Sequence, residues 1–130
     1  MKTEENLKKA FSGESQANRK YTAFAMKAME EGMPEIAQLF MEAAGAETTH
    51  ALSHLKVMGG IKATKENLKE AAEGENYEIE EMYPKFIKEA EIEGKKDAVD
   101  TFKMAFEREK HHREMFRCAP KGHMSSPKIV

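Results

Sequence analysis

The sequence predicts an all-α protein, a four-helix bundle with a dinuclear metal site in its middle. Two observations predict this fold. Apolar residues recur with a helical period through four long segments, which brief breaks separate. Each segment also carries acidic or histidine side chains on its apolar face. A carboxylate buried there is costly unless it is paired, protonated or bound to metal, and metal is the simplest solution for all four segments.

Glycine and proline define where the four predicted helices begin and end. Glycine adopts the left-handed conformation that ends a helix, and proline fits the first turn of the next one. Breaks therefore fall at Gly32-Met33-Pro34, at Gly59-Gly60 and at Gly94. The predicted helices cover residues 3–31, 34–58, 65–93 and 96–117. Pro84 lies inside the third helix and is expected to kink or locally rewind it.

Seven candidate metal ligands lie on the apolar faces of these helices. They occur in the order Glu, Glu-x-x-His, Glu-x-x-Glu, Glu-x-x-His, and the spacing of three places both members of a pair on one helical face. At a rise of ~1.5 Å per residue, the ligands of each hairpin fall within about one or two turns of the same height. The candidates are Glu14, Glu47, His50, Glu75, Glu78, Glu109 and His112.

Length and composition predict one soluble domain. Residues 1–118 are expected to form the bundle, and residues 119–130, which lack periodicity, a flexible C-terminal tail. With 21 basic and 23 acidic residues, the chain gives no indication of a nucleic-acid partner. It has no apolar run long enough to span a membrane and no hydrophobic signal segment. A lone cysteine, Cys118, fits a reducing compartment, so we expect a cytoplasmic protein.

The residues around the candidate ligands resemble the rubrerythrin family of ferritin-like diiron proteins. The resemblance extends over about residues 7–117. It is specific because several separate stretches contribute, including an additional carboxylate in the third helix. These stretches are AFSGESQA at 10–17, AETTHA at 46–51, ENL at 66–68, the run from Glu73 to Pro84, and EKHH at 109–112.

The resemblance implies a role for each candidate ligand at two iron ions. The implied roles are Glu47 and Glu109 as bridging ligands, Glu14 and Glu78 as terminal ligands of one iron, and Glu75 and His112 as terminal ligands of the other. On reduction, the family exchanges a third-helix glutamate for the second-helix histidine, so Glu78 and His50 are the expected exchange pair. Tyr21 and Tyr83 match tyrosines that hydrogen-bond near the site and orient ligands.

The implied activity is a diiron peroxidase that reduces hydrogen peroxide to water and protects against oxidative stress. Its cofactor would be two iron ions, Fe2+ or Fe3+, with an oxo- or hydroxo-bridge when oxidised, and manganese or zinc are conceivable substitutes. Rubrerythrins usually carry a rubredoxin-like domain after the bundle, whose iron needs four thiolates. Only Cys118 stands there, so either electrons come from a separate donor such as a rubredoxin, or this chain is a shortened version of a longer one.

Two other function classes remain open from the sequence. Ferroxidase activity or iron storage, as in ferritins, would use similar ligands but would need an assembled shell. A metal-free helical interaction module would instead neutralise the buried acids with lysine or arginine. His54, one turn beyond His50, is a conceivable hydrogen-bond donor near the site, although a packed or solvated histidine is the simpler interpretation.

Assembly is the remaining question about the bundle. In a ferritin-like topology the second and third helices run parallel and need a crossover along the bundle, yet the connection from Met58 to Lys65 is short. A homodimer that exchanges helix pairs, a domain-swapped dimer, would resolve this difficulty. A simple up-down-up-down bundle would also bring the ligands to one height, so the sequence leaves both arrangements open.

Overall fold

The structure, a computed structural model, describes residues 1–119, and these are helical apart from short connections. The predicted all-α class is confirmed, and the outer bounds of the four predicted helices agree with the structure to within one residue. The predicted tail lies outside the described residues except for Ala119. No helix within residues 1–119 has the length and apolar character needed to cross a membrane.

The chain divides into two compact units, Met1–Ile61 and a second that begins at Lys62. That residues 1–118 form a single domain stays a prediction. We call the units the first hairpin and the second hairpin, because each consists of two antiparallel helical arms joined by a glycine-containing turn.

The first hairpin contains α1 (Lys2–Glu30) and α2 (Pro34–Val57). Its turn forms because Gly32 adopts φ 75°, which a residue with a Cβ rarely does, and because Pro34 occupies the first turn of α2. Small buried residues let the two helices approach closely near the turn. These are Ala25, Ala28 and Ala37, against which Phe40 packs.

The second hairpin contains α3 (Thr64–Tyr77), a π-helical segment (Glu78–Met82), α4 (Tyr83–Ile92) and α5 (Lys96–Cys118). The first three run on from one another and form one arm, and α5 forms the other. Gly94 at φ 69° makes the turn between them. The Asn67 side chain accepts a hydrogen bond from Lys62 N and donates one to Lys62 O, which fixes the start of α3.

Pro84 explains why the long arm is not a regular α-helix throughout. Proline has no N–H to donate, and its ring clashes with the carbonyl four residues earlier, here that of Glu80. Widening the preceding turn to a π-helix removes this conflict, since π-helical hydrogen bonds span five residues. The expected local rewinding near Pro84 is therefore found, as a π-helical segment that ends two residues before the proline.

Candidate metal centre

The first ligand group lies on the facing sides of α1 and α2. Glu14, Glu47 and His50 each offer one ligand atom, and these atoms lie within 4.8 Å of one another. His50 Nδ1 is 3.3 Å from Glu14 Oε1 and 3.7 Å from Glu47 Oε1. One α1 residue and an i, i+3 pair of α2 thus converge on one point, which is close enough for a shared metal ion.

Hydrogen bonds hold α1 against α2 beside this group. Asn18 Nδ2 donates to the backbone carbonyl of Ala44 at 2.8 Å and to Thr48 Oγ1 at 2.7 Å. Asn18 lies one turn after Glu14, and Thr48 is the neighbour of Glu47. The contact therefore fixes the relative height of the two helices at the position where their carboxylates meet.

The second ligand group has the same composition and lies between α3 and α5. Glu75, Glu109 and His112 offer ligand atoms that are again within 4.8 Å of one another. His112 Nδ1 is 3.8 Å from Glu75 Oε1, and the Glu75 side chain is only 17% exposed. Each hairpin thus carries two carboxylates and one imidazole in a compact group.

The two hairpins are an internal repeat with a constant offset of 62 residues. Gly32 and Gly94, Glu47 and Glu109, and His50 and His112 all correspond at this offset. The aromatic residues beside the groups correspond as well. Their pairs are Tyr21 and Tyr83, Phe24 and Phe86, and Phe40 and Phe102.

The repeat is broken at one place, the π-helical segment. Glu14 precedes Tyr21 by seven residues, whereas Glu75 precedes Tyr83 by eight. A π-helical turn accommodates one extra residue without ending the helix, and such turns frequently occur at functional sites. The wide turn therefore takes up the extra residue and allows Glu75 and Tyr83 to keep places like those of Glu14 and Tyr21.

Glu78 is the one predicted ligand that belongs to neither group. It is the first residue of the π-helical segment and is partly buried. A carboxylate beside a ligand group but outside it suits the predicted role of a ligand that exchanges. That role stays a prediction.

Tyr21 and Tyr83, the two predicted hydrogen-bonding tyrosines, occupy equivalent aromatic clusters. The Tyr21 ring lies 6.2 Å from that of Phe40, and the Tyr83 ring lies 6.2 Å from that of Phe102. Both tyrosines are partly buried, one turn or two from the ligand groups. Their predicted hydrogen bonds near the site stay a prediction.

Two further side chains lie beside the groups, and of these only His54 was a candidate from the sequence. Arg113, next to His112, donates from Nη1 to Asn76 Oδ1 at 3.0 Å and to Glu80 Oε1 at 3.1 Å, so it ties α5 to α3 and to the π-helical segment. His54 Nε2 lies 2.5 Å from Glu14 Oε2. The one-residue excess in the second repeat would have pointed to the irregular turn, whereas no sequence signal identifies Arg113.

The donor atoms fit a hard or intermediate metal ion such as iron or manganese. Carboxylate oxygens and imidazole nitrogens are the ligands that these ions prefer, and no thiolate takes part in either group. Glu75 Oε2 is buried and has no hydrogen-bond partner within residues 1–119, which leaves a lone pair available for a cation. The ion pairs that Glu14, Glu47 and Glu75 make in the described residues are with histidine. A metal-free interaction module would instead pair these acids with lysine or arginine, so the structure favours metal binding.

Comparison with known proteins identifies close relatives of the chain. The family model described as rubrerythrin matches residues 5–119. The chain is 36% identical to rubrerythrin-1 of Clostridium acetobutylicum, covering 93% of this chain and 71% of that protein. It is 39% identical to a rubrerythrin of Porphyromonas gingivalis, with coverage of 88% and 64%.

Nigerythrin of Nitratidesulfovibrio vulgaris is a further relative, at 38% identity over 90% of this chain and 65% of that protein. A solved structure of fully reduced, all-ferrous nigerythrin aligns with 97% of this chain and 69% of its own, at 35% identity and a TM-score of 0.49. The chain thus spans about two thirds of the length of the relatives that it matches.

Proposed function

Because the chain belongs to the rubrerythrin family, we propose that it is a diiron peroxidase that reduces hydrogen peroxide to water. One observation carries the proposal: each hairpin brings two carboxylates and one histidine together within 4.8 Å. Two equivalent groups per chain are the donor set that two iron ions require. The family and these ligand groups also support a more general statement: the chain is a ferritin-like protein of the rubrerythrin type with a diiron site.

The proposed reaction consumes two electrons and two protons for each peroxide and yields two molecules of water. When bound, two ferrous ions supply one electron each for cleavage of the O–O bond. In the first hairpin, one ion would be held by Glu14, Glu47 and His50, and in the second hairpin the other would be held by Glu75, Glu109 and His112. Partly buried carboxylates are suited to this role because the cations compensate for the loss of water around them.

The electrons must be replaced after each turnover, and we propose that a centre outside these 130 residues supplies them, such as that of a separate donor protein. A rubredoxin-type iron site needs four thiolates, and these residues contain one cysteine, Cys118. A rubredoxin is the expected type of donor. Cys118 also fits the proposed cytoplasmic setting, since a reducing compartment keeps single thiols free.

Metal content and oxidation kinetics test the proposal directly. We expect protein reconstituted anaerobically with ferrous iron to hold two irons per chain by mass spectrometry. Stopped-flow mixing with peroxide or dioxygen, followed by the near-ultraviolet absorbance of the oxidised iron, should show much faster oxidation by peroxide. Two irons with faster oxidation by dioxygen would favour the ferroxidase alternative, and absence of stoichiometric metal would contradict both.

Assembly provides a second test that separates the two iron-dependent candidates. Storage of iron requires a cage of many subunits, whereas the proposed peroxidase requires at most a small oligomer. Size-exclusion chromatography of the full chain is expected to give a dimer or tetramer. A 24-subunit particle would contradict the peroxidase assignment and support storage.

A further inference from the structure

The Glu14 carboxylate has different surroundings at its two oxygens, and both involve imidazoles of α2. Oε1 faces the ligand group, 3.3 Å from His50 Nδ1. Oε2 lies 2.5 Å from Nε2 of His54, one helical turn further along. The His54 side chain is 30% exposed, so it is held largely within the hairpin.

Glu14 Oε2 needs a donor, because it is buried and accepts no hydrogen bond of regular geometry within residues 1–119. A buried carboxylate oxygen without a donor costs stability. Nε2 of the His54 imidazole is the polar atom that lies beside this oxygen. A neutral histidine can carry its proton on Nε2 and so serve as this donor.

We propose that His54 is a positioning residue for the first metal ion: its Nε2–H donates to Glu14 Oε2 and keeps Oε1 turned toward Glu47 and His50. The inference depends on the metal binding proposed above, but not on the peroxidase reaction. Groups that fix the orientation of a ligand in this way raise its affinity for metal. With Oε2 bonded to His54, Glu14 would bind the metal ion through Oε1 alone.

The second hairpin lacks this arrangement, so the two ligand groups of one chain can be compared with and without the histidine. His54 follows His50 by four residues, and the residue that follows His112 by four is Phe116. Phenylalanine has no donor, and Glu75 Oε2 is buried without a hydrogen-bond partner in the described part of the chain. Oε2 of Glu75 therefore has no histidine at this position beside it, whereas Oε2 of Glu14 lies next to His54 Nε2. The two metal positions should differ in affinity and in spectrum.

Titration of the full-length apoprotein with Co2+ tests the proposal, because the visible bands of this ion report its coordination. The wild type is expected to bind two Co2+ per chain. His54→Phe, which copies the second hairpin, and His54→Ala, which adds no bulk, should each weaken one position by about 10- to 100-fold and leave the other unchanged. His54→Gln, whose amide N–H can replace the donor, should retain most of the affinity and the wild-type spectrum.

The outcomes separate this inference from the proposed function. Failure of the wild type to bind two Co2+ would contradict the metal site itself. Two sites in the wild type that His54→Ala and His54→Phe leave unchanged would overturn the role of His54. Equal losses in His54→Gln and His54→Ala, with unchanged melting of the apoproteins, would also overturn it, since the imidazole would then be a ligand rather than a positioning group. Exposed His111, replaced by alanine, is the matched control and should bind like the wild type.

Discussion

At the scale of single residues, the site depends on carboxylates that are partly buried and lie beside histidine. Glu14, Glu47 and Glu75 have side chains between 17% and 27% exposed. Burial at this level lowers stability when the carboxylates are charged and unpaired, and a bound cation offsets that cost. Glu78 differs because it lies at the start of the π-helical segment and outside both ligand groups.

Glu78→Ala tests whether this carboxylate tunes the choice of oxidant. We expect two irons per chain to remain bound, because the six other ligands are retained. The ratio of the peroxide to the dioxygen oxidation rate should fall by about tenfold, which corresponds to about 1.4 kcal/mol in relative barrier height. Stopped-flow absorbance measures both rates. Glu81→Ala, an exposed change in the same segment, is the control, and an unchanged ratio in Glu78→Ala would refute the exchange role.

Arg113→Met tests the contribution of a single guanidinium to the second hairpin. The Arg113 side chain is 17% exposed and donates to both Asn76 and Glu80. Its loss should lower the free energy of unfolding by about 1–3 kcal/mol, because hydrogen bonds to a charged group are removed. Urea denaturation measures the change. Lys85→Met, which removes an exposed i, i+4 pair with Glu89, should change stability by less than about 1 kcal/mol. Equal effects of the two substitutions would contradict this account.

At the scale of helical elements, the π-helical segment is what distinguishes the second hairpin from the first. It contains the residue by which the Glu75–Tyr83 spacing exceeds the Glu14–Tyr21 spacing. Without the extra residue, the arm from Thr64 to Ile92 could continue as a regular α-helix apart from the proline. With the extra residue in a regular α-helix, the ligands before the segment would be rotated by about 100° from the aromatic residues after it, and the wide turn avoids this rotation.

Deletion of Glu81 tests the purpose of the extra residue. We expect circular dichroism to show a helical content close to that of the wild type, since the deletion replaces π-helix by α-helix. Co2+ binding at the second ligand group should stay within about threefold of the wild type, because the spacing between Glu75 and the tyrosine becomes seven residues, as between Glu14 and Tyr21. Glu81→Ala keeps the chain length and should bind normally. Loss of the second site in the deletion variant alone would contradict the account of an extra residue that the wide turn accommodates.

At the scale of the whole molecule, neither hairpin has a core of large side chains. The buried apolar residues within 1–119 are six alanines, Ile79 and Val99. Several large apolar residues remain exposed, among them Met26 at 70% and Leu39 at 62%. Exposed apolar surface of this kind favours association with further helices. Whether those helices come from the same chain or from a second copy is the question that the short connection after Met58 raises.

We therefore predict a homodimer in solution. Light scattering coupled to size-exclusion chromatography at micromolar concentration should give twice the 14.7 kDa of the chain. An exchanged pair of hairpins would make the dimer resistant to dilution, since each copy would complete the other's helix bundle. A monomer at micromolar concentration would exclude the domain-swapped arrangement.

The helices and the pairs of side chains that share a helical face were predictable because both depend on local spacing. Gly32, Gly94 and Pro34 end or begin helices through their own backbone preferences, wherever they occur in a fold. The Glu47–His50 and Glu109–His112 pairs share a face through helical geometry alone. For these reasons the helix bounds could be predicted, and six of the seven candidate ligands come together in two groups, Glu78 lying outside both. Their roles as metal ligands stay a prediction.

The sequence by itself determined the four helical arms, the all-α class, the irregularity near Pro84, and the carboxylates and histidines that share the apolar faces of the helices. Only the tertiary structure decided that His54 lies beside Glu14 and that Arg113 reaches Asn76 and Glu80. The physical reason is the range of the interactions. Helix periods and breaks depend on neighbours within about one turn. Contacts between helices depend on their relative height and rotation, which are set by side chains distant in the chain.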